Sequence, residues 1–322
     1  MKKTILITGV AGFIGFSVTK RLLKKNYKIL GIDNLNNYYN KKLKKKRIEQ
    51  LKSKNFRFLK LDLKNKNQIN KILKNEKINL IIHFAAQPGV RYSVNEPHSY
   101  IENNVLVFSN ILEFVKSKKI KLIYSSSSSV YGDTDKHPIY EHSKLNPKNI
   151  YAMTKKNNEE QAEIYSKSYG LSIIGLRFFT VFGEWGRPDM LILKFLIYAK
   201  KGLRFQLYNY GNHYRDFTYI NDLFEMIYPL IKNYQKIKKG HEIYNICSNR
   251  SVHLKKVINI LKKLTNYKNI KNIKRSELEV FKTHGSRKKL ENFTKIKFKI
   301  SNIEESIIKT FNWFEKNKKL FN

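Results

Sequence analysis

Thr8-Gly9-Val10-Ala11-Gly12-Phe13-Ile14-Gly15 follows directly on a β-branched run that starts at Thr4, and its reading decides the fold. A strand that runs through glycines spaced three apart into a helical pattern lets the backbone approach an anion where side chains would block it. The helix start then offers N–H groups and a positive dipole end to a pyrophosphate, with Gly9, Gly12, Phe13, Ile14 and Gly15 lining it. Outward from this loop, short strand-like runs at Thr4 to Gly9, Lys28 to Asp33, Phe56 to Asp62, Asn79 to Phe84, Lys121 to Ser126 and Ser172 to Phe178 alternate with segments of helical period. That alternation predicts parallel βαβ units and an α/β fold, a doubly wound parallel sheet that binds ligands at the carboxyl ends of its strands.

Past Phe179 the alternation becomes irregular, with turn-forming clusters at Gly183 to Pro188 and Gly211 to Asn212. The reading assigns 1–179 to a dinucleotide-binding domain of the Rossmann kind and returns 216–246 to it as a further helix (Asn221 to Lys232) and strand (Glu242 to Ile246). It assigns 180–215 and 247–322 to a smaller C-terminal substrate-binding lobe, capped by the helical stretch Asn302 to Lys318.

The strand ends name the candidate site. Asp33 stands eighteen residues beyond Gly15 at the end of the second strand, where a carboxylate accepts hydrogen bonds from ribose hydroxyls and repels a 2′-phosphate, which predicts NAD as the cofactor. Asn34, Asp62, Leu63, Ala85, Ala86 and Asn104, with Tyr151 and Lys155 farther on, complete the predicted cofactor set. The fifth strand ends in Ser125 to Ser129, and a helical segment opens at Tyr151-Ala152-Met153-Thr154-Lys155. Tyrosine and lysine four apart share a helix face. A free tyrosine, with a pKa near 10, is a poor base at neutral pH, and a neighbouring ammonium lowers that value. Tyr151 is therefore the expected acid/base, Lys155 the group that tunes it, and Ser127 the hydroxyl that orients the reacting oxygen.

Composition bounds the rest. At 322 residues and 41% hydrophobic content the chain can bury a substantial core. The single cysteine, Cys247, excludes an internal disulfide and fits a reducing cytoplasm, and no Cys/His spacing suggests a metal. No apolar stretch is long enough for a membrane span, and the glycines inside Thr4 to Val18 argue against a secretory leader behind Met1-Lys2-Lys3. A net charge of +39 raises the alternative of nucleic-acid binding. Lysine spread over the whole length beside Asn, Ile, Phe and Tyr points instead to codon bias. The run Lys41 to Arg47 reads as a solvated helix face, and no specific nucleic-acid partner is expected.

Together these motifs resemble the extended short-chain dehydrogenase/reductases and, within them, the UDP-glucuronate 4-epimerases. The stretches that carry the resemblance are Gly31 to Tyr39, Ala85 to Ser93, Ser126 to Gly132, Leu176 to Val181, Trp185 to Met190 and Arg215 to Ile220. The resemblance implies an NAD-dependent isomerase that inverts C4 of a UDP-sugar, most closely UDP-glucuronate, in polysaccharide biosynthesis. UDP-glucose 4-epimerases and UDP-glucuronate decarboxylases share the same loop and Tyr/Lys pair. It further implies Arg91 and Arg187 at the sugar, Arg215 at the diphosphate, Ser127, Ser128 and Thr180 in the substrate pocket, and a homodimer through the helices flanking Tyr151. The chain departs from the family pattern at Pro88, Asn157-Asn158, Leu278-Glu279 and Gly285-Ser286.

Overall fold

The computed structural model describes residues 3–275 and 277–321. Residues 1, 2, 276 and 322, which fall inside the predicted domain ranges and the basic start Met1-Lys2-Lys3, lie outside the described part. Twelve strands occur among the described residues: β1 Thr4–Thr8, β2 Lys28–Asp33, β3 Phe56–Lys60, β4 Leu80–His83, β5 Lys121–Ser127, β6 Ser172–Phe178, β7 Thr180–Phe182, β8 Phe205–Tyr208, β9 Tyr214–Tyr219, β10 Gly240–Ile246, β11 Ser251–His253 and β12 Ile270–Ile273. The first seven helical segments used below are α1 Phe13–Lys24, α2 Lys41–Glu49, α3 Lys66–Leu73, α4 Tyr92–Asn95, α5 Pro97–Tyr100, α6 Val107–Lys118 and α7 Ile150–Tyr169, with a π-helical turn at Ile101–Leu106 between α5 and α6.

Seven strands form one sheet in the order β10-β6-β5-β4-β1-β2-β3, parallel as the alternating pattern predicts. From β1 the chain winds outward through β2 and β3, then crosses back to lay β4 on the other side of β1. The reversal puts the switch point at the carboxyl ends of β1 and β4, where doubly wound sheets bind ligands. Ile5, Leu6, Ile7, Leu80, Ile81 and Ile82 are fully buried. Strands covered on both faces are apolar at consecutive positions rather than alternating ones. On one face, Ile69 and Leu73 of α3, Val107, Phe108, Ile111 and Leu112 of α6, and Ala162 of α7 pack with Leu6, Leu30, Ile32, Ile81 and Leu122 in one cluster. The edge strand β10, read in part from Glu242 to Ile246, joins the sheet beside β6.

The chain divides into two compact units. The first runs to Val130 and adds Pro147–Arg177 and Tyr228–Tyr244. The second holds Tyr131–Asn146, Phe178–Ile227 and the chain from Asn245 onward. The division differs from the predicted one at 131–146, 178–179, 216–227 and 245–246, all of which lie in the second unit. Tyr131–Asn146 belongs to the second unit, and of the predicted return segment 216–246 the part Tyr228–Tyr244 belongs to the first. The reason lies in pairing: β9 is taken up by β7 and β11 in a separate three-stranded sheet, and β12 pairs with β8 in a two-stranded one. In the second unit Trp185 packs against Trp313 of the C-terminal helix Ile303–Asn317, their ring centroids 5.2 Å apart.

One expectation is corrected. The basic run Lys41 to Arg47 forms α2, but it is not a uniformly solvated face, because Lys44 and Arg47 are buried. Lys44 donates from Nζ to the Asn36 carbonyl at 3.0 Å and to Asn36 Oδ1 at 2.5 Å. Arg47 donates to the Ala11 carbonyl at 2.7 Å and to the Tyr39 hydroxyl at 2.6 Å. Cations at these two positions hold neighbouring loops instead of facing water.

Candidate active site

The glycine loop lies at the switch point. Gly9 leaves β1 with φ of 74°, and a side chain there would meet the Ala85 amide nitrogen at 2.7 Å. Gly15 faces the Gly9 carbonyl so closely that any Cβ would collide with it. Helix α1 starts from Gly12 with no side-chain cap and no acidic residue in its first turn. Its leading N–H groups and dipole are thus left for an anion. This cradle, which only absent side chains keep open, fits the pyrophosphate of a dinucleotide.

Asp33 has two tasks. Its Oδ2 accepts from the Ala11 amide at 3.0 Å and its Oδ1 from the Leu35 amide at 2.8 Å, so it holds the loop, and each carboxylate oxygen keeps a second lone pair that could accept from a ribose hydroxyl. Arg47 in turn donates to the carbonyl of Ala11, whose amide Asp33 accepts. Burial lowers the Lys44 ammonium to about 8, opposed by the Asp33 charge. Because Lys44 and Arg47 direct their hydrogen bonds to Asn36, Ala11 and Tyr39, the bonds shown for the cations nearest Asp33 run to the protein. Asp33→Ala is expected to weaken NAD roughly tenfold or more and to lower the melting temperature, since two backbone amides lose their acceptors. Cofactor titration by calorimetry and a thermal melt check both effects.

The other predicted cofactor residues fall at the same edge. Asp62 accepts from the Lys64 backbone amide at 3.0 Å and from the Asn34 side-chain Nδ2 at 3.4 Å. The Leu63 carbonyl receives Asn110 at 2.9 Å. Ala85 donates its amide to Thr8 Oγ1 at 3.2 Å, and Ala86 follows it in the loop after β4. Asn104 lies in the π-helical turn and is buried, its Oδ1 taking the Gln87 amide at 2.7 Å and its Nδ2 donating to the Gln87 carbonyl and to Thr154 Oγ1. It ties the loop after β4 to α7. An extra residue in a helical turn re-aims a side chain without breaking the helix, which is how Asn104 reaches both partners.

Helix α7 carries the proton-transfer candidates. Asn149 caps it by accepting from the Ala152 amide at 2.9 Å, which puts Tyr151 in the first turn, at the positive dipole end. The Tyr151 ring packs edge-on against Tyr100. One turn on, Lys155 is buried and donates from Nζ to the Ser125 carbonyl at 2.9 Å. Burial brings its ammonium down to about 8, opposed by the Glu159 carboxylate. Ser127, at the end of β5, accepts from the Ser129 amide at 3.2 Å and lies 2.8 Å from the Ser129 hydroxyl. Ser128 opens the 3-10 turn that follows. An oxygen that accepts twice is disposed to donate its own proton outward.

Sequence reading missed several groups here. His83, at the end of β4, is buried, meets Thr8 Oγ1 through Nδ1 at 2.8 Å, and is held neutral by burial, its pKa brought down to about 3. A polar residue closing the apolar run Leu80 to Ile82 was the available signal. Thr8, Glu159 and Arg177 were missed as well, because their partners are distant in the chain or belong to another element, and so was Asn149, whose capping bond is local.

The predicted substrate residues lie as follows. Arg91, in the first unit, is exposed just before α4, on a loop that Tyr100 holds through the Pro88 carbonyl at 2.7 Å. In the second unit Thr180 opens β7 opposite Phe217 of β9. Arg187 forks onto Asp189 with contacts of 3.0 and 2.5 Å. Arg215, on β9, donates to the Tyr214 and Phe281 carbonyls at 2.9 and 3.0 Å. Among the described residues no group of His, Cys, Asp and Glu could hold a metal ion, and no helix is long and apolar enough to cross a membrane.

Residues 5–247 match the NAD dependent epimerase/dehydratase family. The chain belongs to that family. Among relatives of this NAD dependent epimerase/dehydratase, an uncharacterized protein of Methanocaldococcus jannaschii is 43% identical over 98% of this chain and 97% of its own. A UDP-glucuronate 4-epimerase of Thermodesulfobacterium geofontis is 37% identical over 97% of this chain and 96% of its own. Among solved structures, the UDP-glucuronic acid 4-epimerase of Bacillus cereus, crystallised with UDP-glucuronic acid and NAD, superposes with a TM-score of 0.90 at 28% identity, covering 98% of this chain and 99% of that one. The chain is therefore an NAD-dependent enzyme built on a Rossmann-like parallel sheet.

Proposed function

We propose that this enzyme interconverts UDP-glucuronate and UDP-galacturonate by inverting the sugar at C4. The observation that carries the reading is the buried Lys155 ammonium one turn below Tyr151, on a helix whose positive end is at the tyrosine and beside a strand that ends in Ser127. The cation and the dipole both favour the phenolate, so Tyr151 can take the proton of the C4 hydroxyl near neutral pH. Ser127 donates to the same oxygen and fixes its direction. Bound NAD supplies the acceptor for hydride from C4, leaving a 4-keto sugar, and gives it back to the opposite face. Tyr151 then returns its proton to the new C4 oxygen, so neither proton nor cofactor is consumed.

The acidic sugar is favoured by the guanidinium groups of Arg91, Arg187 and Arg215, which suit a carboxylate and a diphosphate in two-point contacts. Thr180, Ser127 and Ser128 are the hydroxyls we place around the sugar. A net charge of +39 draws so anionic a substrate toward the protein. A 4-keto uronic acid can lose carbon dioxide, so the pocket must hold the carboxylate out of the geometry that breaks its bond. The reading includes a cytoplasmic homodimer through the helices near Tyr151, where Leu106, Met153 and Ile164 are exposed.

The test incubates the protein with UDP-glucuronate, UDP-glucose and UDP-N-acetylglucosamine separately and follows the products by NMR. UDP-galacturonate from UDP-glucuronate, without a pentose product, is expected; turnover of the neutral sugars alone, or decarboxylation, overturns the substrate assignment. The charge on Lys155 also sets a pH limit. The ammonium is present below about 8 and lost above it, so kcat is expected to fall as pH rises through that value.

A further inference from the structure

We infer that Glu159, held by Arg177, is a positioning residue for the proton-transfer unit: it sets a carboxylate one turn of α7 from Lys155 and fixes the strand end that carries Ser127. The inference rests on the roles proposed above for Tyr151, Lys155 and Ser127.

Glu159 follows Lys155 by one turn of α7 and is buried. Arg177, from β6, grips its carboxylate at two points, Nε to Oε1 at 2.9 Å and Nη2 to Oε2 at 2.7 Å. The Ser126 hydroxyl donates to the same Oε1 at 2.5 Å. Three consecutive serines at the end of β5 are thereby engaged, Ser125 by Lys155, Ser126 by Glu159 and Ser127 by Ser129. The strand end cannot slide along α7 without breaking the middle bond, and Ser127 follows wherever Ser126 is held.

A buried ion pair is poor evidence for a purely stabilising role, since its desolvation cost can cancel its Coulombic gain and an apolar replacement often folds as well. The next turn of α7 supplies the contrast. There Glu163 meets His241 Nδ1 at 3.1 Å, and His241 Nε2 meets the Tyr124 hydroxyl at 2.9 Å, a second tie between helix and sheet with a carboxylate that is 42% exposed. Glu159 differs because its charge acts on Lys155 and opposes the burial that pushes the ammonium toward neutrality. Of the other ionisable groups, Tyr151 precedes Lys155 by one turn of α7, His83 on β4 feels the Lys155 charge and is kept neutral by burial, and Tyr124 on β5 feels the charges of Glu159 and Arg177.

The test is the pH dependence of kcat for C4 epimerisation in the full-length enzyme and its variants. Glu159→Gln keeps the shape of the side chain and an oxygen for Ser126 but removes the charge and leaves Arg177 uncompensated. It is expected to move the basic limb down by about one pH unit or more, with KM little changed. Glu159→Asp keeps the charge and is expected to hold the limb in place while lowering kcat. If Glu159→Gln does not fold, Arg177→Lys replaces it. A lysine makes one contact where the guanidinium makes two, leaves more of the carboxylate's field to Lys155, and should move the limb upward. An unmoved basic limb in whichever of these two variants is measured overturns the inference, whatever the change in kcat, since a structural rivet would alter stability and leave the limb alone. A wild type that epimerises no UDP-sugar instead overturns the functional reading, and this inference with it.

Discussion

Tyr151→Phe is expected to lower kcat for C4 epimerisation by about a thousandfold while leaving the affinity for NAD unchanged. The substitution removes one oxygen. The ring stays edge-on to Tyr100, the Asn149 cap is untouched, and Lys155 keeps its bond to the Ser125 carbonyl, so neither the fold nor the glycine cradle has reason to change. What disappears, on the proposed mechanism, is the base that takes the C4 hydroxyl proton. Water in its place would lack a fixed position in the first turn of α7, one turn from the Lys155 ammonium. Steady-state kinetics beside calorimetric titration of NAD separate the two quantities. An enzyme that kept wild-type turnover would remove Tyr151 from the mechanism, and one that lost NAD binding in parallel would make the tyrosine a cofactor ligand first.

Gly15→Ala is expected to weaken NAD by at least about a hundredfold, and the mechanism is steric. A methyl group at this position is driven onto the Gly9 carbonyl carbon at 2.8 Å and the Val10 Cα at 3.3 Å, both backbone atoms. The Gly9 carbonyl is itself committed to the Gly12 amide at 2.9 Å, so it cannot swing aside without opening the turn that starts α1. Relief requires α1 to move off β1, which spoils the approach of its N–H groups to the pyrophosphate. The result should be a folded protein with a lower melting temperature and little cofactor affinity. Cofactor binding close to that of the wild type would show that the loop yields more easily than its backbone contacts suggest.

The loop was legible in the sequence because its chemistry is local. A strand, three glycines and a helix lie within consecutive residues, and the same holds for Tyr151 and Lys155 on one helix face. The sheet was legible because each parallel strand announces itself as a short apolar run. The site's supporting bonds were not. Thr8 and His83 are 75 residues apart and meet only after β4 returns beside β1. Glu159 and Arg177 meet because β6 is laid next to β5 and α7 packs across both. Lys44 and Arg47 were hidden by company. In a run of seven residues containing six cations, nothing marks the two whose helix face turns inward with Leu43. The pairing of β9 was hidden for a related reason, since a three-residue strand such as β7 carries too little periodicity to show that it captures β9.

The central claim is that the hydrogen leaving C4 comes back to C4 without ever reaching water, while Tyr151 moves only the hydroxyl proton. UDP-glucuronate labelled with deuterium at C4, taken to equilibrium with the enzyme in ordinary water, tests it most directly. The account predicts UDP-galacturonate that still carries its deuterium at C4, detected by NMR and mass spectrometry. Product in which that deuterium has been replaced by solvent hydrogen would contradict it.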